Sequence, residues 1–575
     1  MNEIAEFSAS AAATFNGREV KSLLNGANRK TLPSRVVLIG GVLAFACLAL
    51  SAAVVVARQA GPATRERSLA EIAASPVSLR DGIGGVSEHV STASPDASRF
   101  YNQGVAYLHS FVWIEAARSF NQALRIDPSL AMADVGLSYA LGELGLSPEA
   151  REASDRAQSL VRLVTPKERV RIEIRKAQLD AAAAPSDAAL RAAYRRKLEE
   201  SLAASPDDVE LLLLVGQSQD SSHDGHGMNV GSTSLPFYLQ ALTKAPDYFA
   251  THHFLTHAYE NTHQFDEAVA HAERYARVAY DVPHAHHMYG HVLRRLNRMK
   301  DAIGQFERAD EIETTYLKTE AIPPRYDWHY RHNLSLLGTS YQYLGRLTSA
   351  GTALRRVFEL EGFTPTGFDS DRALWVILLL ASGRSNDALS AAQSLVARPD
   401  SLTRALGHLL ASRSLLALNR VSEAAEQGNL GLSEMRAAGP SGGVLVPDVE
   451  LTQGELLLRM RQLDRARIAL QSAAAKLRDA TGPDAWVTTL FSLEAVIRTA
   501  TDVGAWPVVE DFAEQMRAVD STYPGTRFAL GLLAEHAGDR STAAARYQEA
   551  VAGWADADPD FPGRIAARTK VAALK

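Results

Sequence analysis

The stretch ASRFYNQGVAYLHSFVWIEAARSFNQALRIDP, residues 97–128, decides the fold of this chain. With Ala97 as position 1, Gly104 falls at 8, Tyr107 at 11, Ala116 at 20, Phe120 at 24, Ala123 at 27 and Pro128 at 32. Small residues at 8 and 20 let two successive helices approach closely. Large residues at 11 and 24 fill the space between one pair and the next, and Pro128 cannot continue the second helix.

The frame recurs. Gly136, Tyr139 and Ala150 mark a second, slightly longer unit, and Tyr259 and Ala268 another. Gly290, Ala302, Phe306 and Ala309 follow, then Gly338, Tyr341 and Ala350. Weaker copies centre on Ala388 and Ala424, before Gly454, Ala466 and Ala473, a degenerate unit near Val509, and Gly531, Ala543, Tyr547 and Ala550. The connections share a signature too: HQFDEA, NRMKDA, GRLTSA, GRSNDA, NRVSEA, RQLDRA and GDRSTA. At 575 residues the chain exceeds the size at which single cores stop growing, and stacked repeats accommodate such a length.

These filled slots resemble the tetratricopeptide repeat over about residues 97–565. The resemblance implies an all-α solenoid of helical hairpins wound into a right-handed superhelix. Such arrays usually hold proteins or peptides, in a concave groove faced by positions 2, 5, 9, 12 and 13 of the first helix, or along exposed edges. The stretch HHFLTHAYENTHQFDEA with VPHAHHMYGHVLRRLNR also resembles a His-rich bacterial subfamily with no settled activity.

Two histidine pairs spaced i, i+4 lie one period apart: His253 to His287 and His257 to His291 are both offsets of 34. Each pair shares one helix face, and stacked repeats set equivalent positions side by side. Four imidazoles are therefore expected on one patch. By the resemblance, His253 and His287 hold position 5 and His257 and His291 position 9. Position 12 adds Glu260 and Arg294, and position 13 adds Asn261 and Arg295. In the next repeat His332 is at position 2, with Ser335, Thr339 and Gln342 on the same face. Imidazoles with a carboxylate suit zinc, copper, iron or nickel. The candidate metal set is thus His253, His257, His287, His291, Glu260 and His332, with His284 and His286 as further contributors. The candidate partner groove is Asn261, Arg294, Arg295, Ser335, Thr339 and Gln342. Two readings compete: a polar groove that binds a peptide, and histidines copied with their repeat that play only a structural part. Glu260 and Arg294, one period apart, are expected to pair. The family's carboxylate clamp uses Lys and Asn at positions 5 and 9, where this chain has His.

No catalytic signature stands out. HFLTH puts Phe254 where HExxH has its base, and no Ser-His-Asp order, phosphate loop or dinucleotide fingerprint is present. The chain reads as a binding protein rather than an enzyme. The single cysteine, Cys47, excludes a disulfide framework and a thiolate metal site within one chain. A net charge of −6 gives no sign of nucleic-acid binding. Aromatics at 7% among abundant Ala and Leu favour packed helices over sheets.

Residues 36–57, VVLIGGVLAFACLALSAAVVVA, carry no charge and are long enough to cross a bilayer as one helix. The run exceeds a signal-peptide core and follows 35 residues, so an uncleaved anchor is expected. Arg18, Lys21, Arg29, Lys30 and Arg35 precede it, against Arg58, Arg65 and Arg67 after it. This balance favours a cytoplasmic N-terminus and an array outside the cytoplasm, in a periplasm-like compartment.

The expected organisation is a tail over 1–35, the anchor, a linker over 58–95 and irregular repeats over 97–245 with a loop insert at 217–234. That insert contains His223, Asp224 and His226 as a weak ligand set. His-rich repeats span 246–360, with a long connection at roughly 311–328, and degenerate repeats span 366–565. The function expected first is a membrane-tethered scaffold that docks a protein or peptide. The alternatives are a transition-metal protein centred on the histidines, and an assembly spacer.

Overall fold

The structure, a computed structural model, describes residues 66–220, 229–360, 370–479 and 485–574. The tail 1–35, the apolar run 36–57 and the loop residues His223, Asp224 and His226 lie outside the described residues. No helix among the described residues is long and apolar enough to cross a membrane.

Every regular element among the described residues is helical. Successive helices pack in pairs: Pro95–His109 on Trp113–Ile126, Phe249–Asn261 on Phe265–Val278, Pro283–Arg295 on Met299–Thr319, and Trp328–Tyr343 on Leu347–Glu359. The turns explain the pairing. His263, Asn297 and Asn419 all take φ near 60°, two residues past the end of a first helix. The next N–H then closes back on the helix, Gln264 N to Tyr259 O at 2.8 Å and Arg298 N to Leu293 O at 2.9 Å. This is a Schellman closure, which stops one helix and starts the chain back along it.

The repeat register found in sequence is a packing register. A methyl group added at Gly104 would sit 2.6 Å from the Phe120 ring, and one at Gly290 2.6 Å from the Phe306 ring. Position 8 therefore receives the large side chain of position 24 in its own hairpin. The position-20 alanines, among them Ala116, Ala268, Ala302 and Ala350, are fully buried.

Two expectations are corrected. The stretch 58–95, read as a linker, is strapped to the repeats over its described part from 68 onward. Ile72 and Ile83 are buried. The Gly82 carbonyl accepts from Asp281 N at 2.9 Å, and Ser91 Oγ donates to Glu168 Oε2 at 2.5 Å. Its polar backbone finds partners on the array, which outweighs its Gly/Ser composition. The connection expected at 311–328 is helical through Thr319, and the break is confined to 320–327, which holds Pro323 and a short 3₁₀ turn at Pro324–Tyr326. The C-terminal repeats continue to a last helix, Pro562–Leu574.

Candidate metal centre

The helices Phe249–Asn261, Pro283–Arg295 and Trp328–Tyr343 are the first helices of three consecutive hairpins. Their histidines gather inside the protein. His253, His257, His284, His287 and His291 are buried, and His332 is half-buried. They form two groups, His253 with His257 and His284, and His287 with His291 and His332. Within each group one ligating nitrogen per ring lies within 4.8 Å of the other two.

Both groups have the same construction. Each takes positions 5 and 9 of one helix and position 2 of the next. Ring separations repeat accordingly. His253 to His257, His253 to His284 and His257 to His284 are 4.9, 4.9 and 5.8 Å. His287 to His291, His287 to His332 and His291 to His332 are 4.5, 4.8 and 5.8 Å. The single four-histidine patch expected from sequence is therefore two adjoining triads, and His284 and His287 stack 5.7 Å apart where they meet. The stagger between neighbouring helices aims position 2 of the later helix, rather than its position 5, at the earlier pair.

The tautomers are set by neighbours. His253 Nδ1 donates to the carbonyl of His109 at 2.6 Å. Its Nε2 lies 3.1 Å from His257 Nε2 and 3.0 Å from His284 Nε2. Nitrogens bound tetrahedrally at 2.0–2.1 Å from zinc would stand about 3.3 Å apart, so these two separations need widen only by a few tenths of an ångström to admit an ion. His287 Nδ1 donates to Asn333 Oδ1 at 3.0 Å, and Asn333 Nδ2 donates to the Phe306 carbonyl at 3.0 Å, which fixes the amide's orientation. His291 Nδ1 meets Glu260 Oε1 at 3.2 Å. A metal-binding histidine commonly holds its second nitrogen in this way.

Burial keeps these rings neutral. Loss of solvent lowers the His253 pKa to about 3. It drives His257, His284 and His287 well below the usual imidazole range, with further lowering from neighbouring imidazoles. Neutral rings have a lone pair to offer a cation.

Glu260 approaches His291 and so stands behind the second histidine group. It meets His291 rather than Arg294, contrary to the expected pair. Arg294 lies over the rings of Phe306 and Trp486, at 5.9 and 5.6 Å. His286 turns away to Gln305 Oε1 and the Tyr280 carbonyl.

The expected partner groove is largely interior. Arg294, Ser335, Thr339 and Gln342 are buried, and Asn261 and Arg295 half-buried. Asn261 donates to the Val230 carbonyl, Arg295 lies over Trp486, and Ser335 Oγ meets Asp371. The chain's own segments cover this face. The turn of the first hairpin enters it. Phe111 sits 4.7 Å from the His253 ring and 5.2 Å from His284. Trp113 stacks on Trp328 at 5.2 Å, and Trp328 Nε1 donates to the Phe111 carbonyl at 3.2 Å. Phe111 does this with φ 58°, a left-handed conformation that bulky residues rarely adopt.

His329 was not among the candidate site residues singled out from sequence. Its ring is 4.6 Å from His287 and 5.1 Å from His284, and its Nδ1 lies 2.7 Å from Glu313 Oε1. Glu313 sits in the part of the chain taken for a connection. Only the helical phase from Met299 to Thr319 places it inside.

No protein-family profile matches this chain, and no curated protein matches it. Among solved structures it is similar to the APC/C Cut9–Hcn1 hetero-tetramer, at 14% identity and a TM-score of 0.40, covering 84% of this chain and 88% of that one. It is also similar to the human IFIT1 dimer with m7Gppp-AAAA, at 13% identity and a TM-score of 0.33, covering 82% and 92%. A third is PilW, a widely conserved type IV pilus biogenesis factor, at 13% identity and a TM-score of 0.24, covering 49% and 98%. Overlaps this loose carry no argument about ligand or activity, and the functional reading rests on the site itself.

Proposed function

We propose that this protein is a membrane-tethered helical-repeat protein that holds transition-metal ions in its interior, one in each histidine triad. The observation that carries the reading is the paired construction: two sets of three close imidazoles, built on the same repeat positions, with Nδ1 of both His253 and His287 held by an oxygen acceptor. Hydrogen bonding among the rings accounts for one contact per proton, whereas His253 Nε2 lies within 3.1 Å of two other imidazole nitrogens at once. An ion among neutral rings satisfies all three together. All-nitrogen donors favour zinc, copper, iron or nickel over magnesium or calcium. The uncharged run 36–57 supplies the tether.

The test is the metal content of the full chain, purified in detergent. Two ions per chain are expected, and one each in His253→Ala/His257→Ala and in His287→Ala/His291→Ala. Absence of bound metal after incubation with zinc or copper would end the reading. Release of the chain from membranes by an alkaline carbonate wash would end the tether part alone.

A further inference from the structure

Beside the first triad a cavity of about 20 Å³ lies in the seam between the first hairpin and the His-rich repeats. Phe111, Trp113, His284, Glu313, Asp327 and His329 are among its lining residues. Three of these are at least nine-tenths buried and carry one side-chain atom with no hydrogen-bond partner in the protein: His284 Nδ1, Glu313 Oε2 and His329 Nε2. Buried polar atoms rarely stay unpaired, because one without a partner has lost its hydration and gained nothing in exchange. A single water needs roughly 10–15 Å³ and two to four polar partners. The cavity offers both.

We infer that this cavity is a binding site for one water molecule, which links His284 of the first triad to the His329–Glu313 pair. When an ion is held by the Nε2 atoms of His253 and His284, which lie 3.0 Å apart without one, His284 Nδ1–H donates to the water oxygen. The water's two hydrogens go to Glu313 Oε2 and His329 Nε2. The arrangement gives His284 what His253 receives from a backbone carbonyl and His287 from an amide, namely a partner that fixes which nitrogen faces the ion. Glu313 and His329 thereby become positioning residues for the first triad. The water site follows from the protein groups alone, whereas its effect on metal affinity rests on the proposed function.

A high-resolution crystal structure of the full chain prepared without metal tests the site. Density for a water within about 2.6–3.2 Å of all three atoms is expected. A collapsed cavity, or those atoms paired with one another, overturns the inference. The effect on the ion is read as copper affinity and copper EPR of the first triad, in a chain whose second triad is removed by His287→Ala/His291→Ala. Glu313→Leu should weaken binding about 10- to 100-fold and alter the nitrogen hyperfine pattern. Glu313→Gln, which can still bond the water, should retain most of the affinity. Equal affinity in the Leu, Gln and parent chains overturns the positioning role. If the parent chain takes up neither copper nor zinc, the proposed function fails while the density still decides the water site.

Discussion

His253 Nδ1 lies 2.6 Å from the carbonyl oxygen of His109, a residue 144 positions earlier. One hydrogen bond therefore joins the first hairpin of the array to the centre of the histidine cluster. Around it, Phe111 wedges against the rings of His253 and His284, and Arg118 pairs with Glu320 at 2.8 Å. The first hairpin thus closes the face on which the sequence reading placed a peptide.

Removing the wedge should loosen that closure. Phe111→Ala loses a buried aromatic ring, which costs about 3–5 kcal/mol in tightly packed cores. Amide exchange across Pro95–Ile126 should speed up by about 100-fold, with far less change in the C-terminal hairpins. Unchanged protection over Pro95–Ile126 would mean that the hairpin stays docked without Phe111.

The second triad depends on one amide. Asn333→Leu keeps the bulk at a fully buried position but removes the acceptor for His287 Nδ1. Losing the group that holds a metal-binding imidazole from behind typically costs about 10- to 100-fold in metal affinity. Competitive zinc titration should show one site weakened to that extent and the other unaltered. A uniform loss at both sites would point to general misfolding instead.

Two glycines on the two helices of one hairpin should respond oppositely. Gly290→Ala brings a methyl group to 2.6 Å from the Phe306 ring, and Phe306 packs 5.6 Å from His287. Overpacking should cost about 1–3 kcal/mol and disturb the second triad. Gly304→Ala, inside the Met299–Thr319 helix, meets nothing within 4 Å. It should stabilise by up to about 1 kcal/mol, the difference in helix propensity. Thermal denaturation of the two variants gives the signs directly.

Acid should unfold the metal-free chain early. His253, at about 3, and His329, at about 4, are joined by His257, His284 and His287 in having pKa values lowered by burial. These five are neutral in both states above about 6.5. Below that the unfolded chain takes up protons that the folded one does not, so stability falls as pH drops from 6.5 toward 4. Two carboxyls oppose the trend. Burial raises Asp327 to about 7 and Glu313 well above the usual carboxyl range, and each adds stability that is lost as pH rises from about 4. Within the histidine cluster the five lowered imidazoles outnumber the two raised carboxyls, so the cluster's contribution to stability falls as pH drops below about 6.5. Urea unfolding at pH 7, 6 and 5 should show the loss, and bound zinc should reduce it. A midpoint independent of pH over this range would mean that the rings are not buried as described.

The small-residue slots were legible because each is a local demand. Gly104 must admit Phe120, and Ala116 must let its helix lie close to the next. Those constraints act within one hairpin, about sixteen residues apart, and leave a periodic trace. The histidine pairs were legible for the same reason, since i, i+4 on a helix is a local relation. Their partition was not. His284 was named only as a further contributor, and the stagger between helices makes it the third member of the first group. His329 and Glu313 lie in a break of the repeat, where periodicity says nothing about direction.

By itself the sequence determined the helical hairpins, their turns and the faces on which His253, His257, His287 and His291 stand, because helix geometry and close packing act over short separations. Only the tertiary structure decided that six imidazoles form two groups, that Asn333 and the His109 carbonyl hold two of them, and that the first hairpin closes over the set. These relations join residues 31 to 144 positions apart. They depend on how far each repeat is rotated against the next, a quantity set by the sum of many side-chain contacts and recorded at no single position.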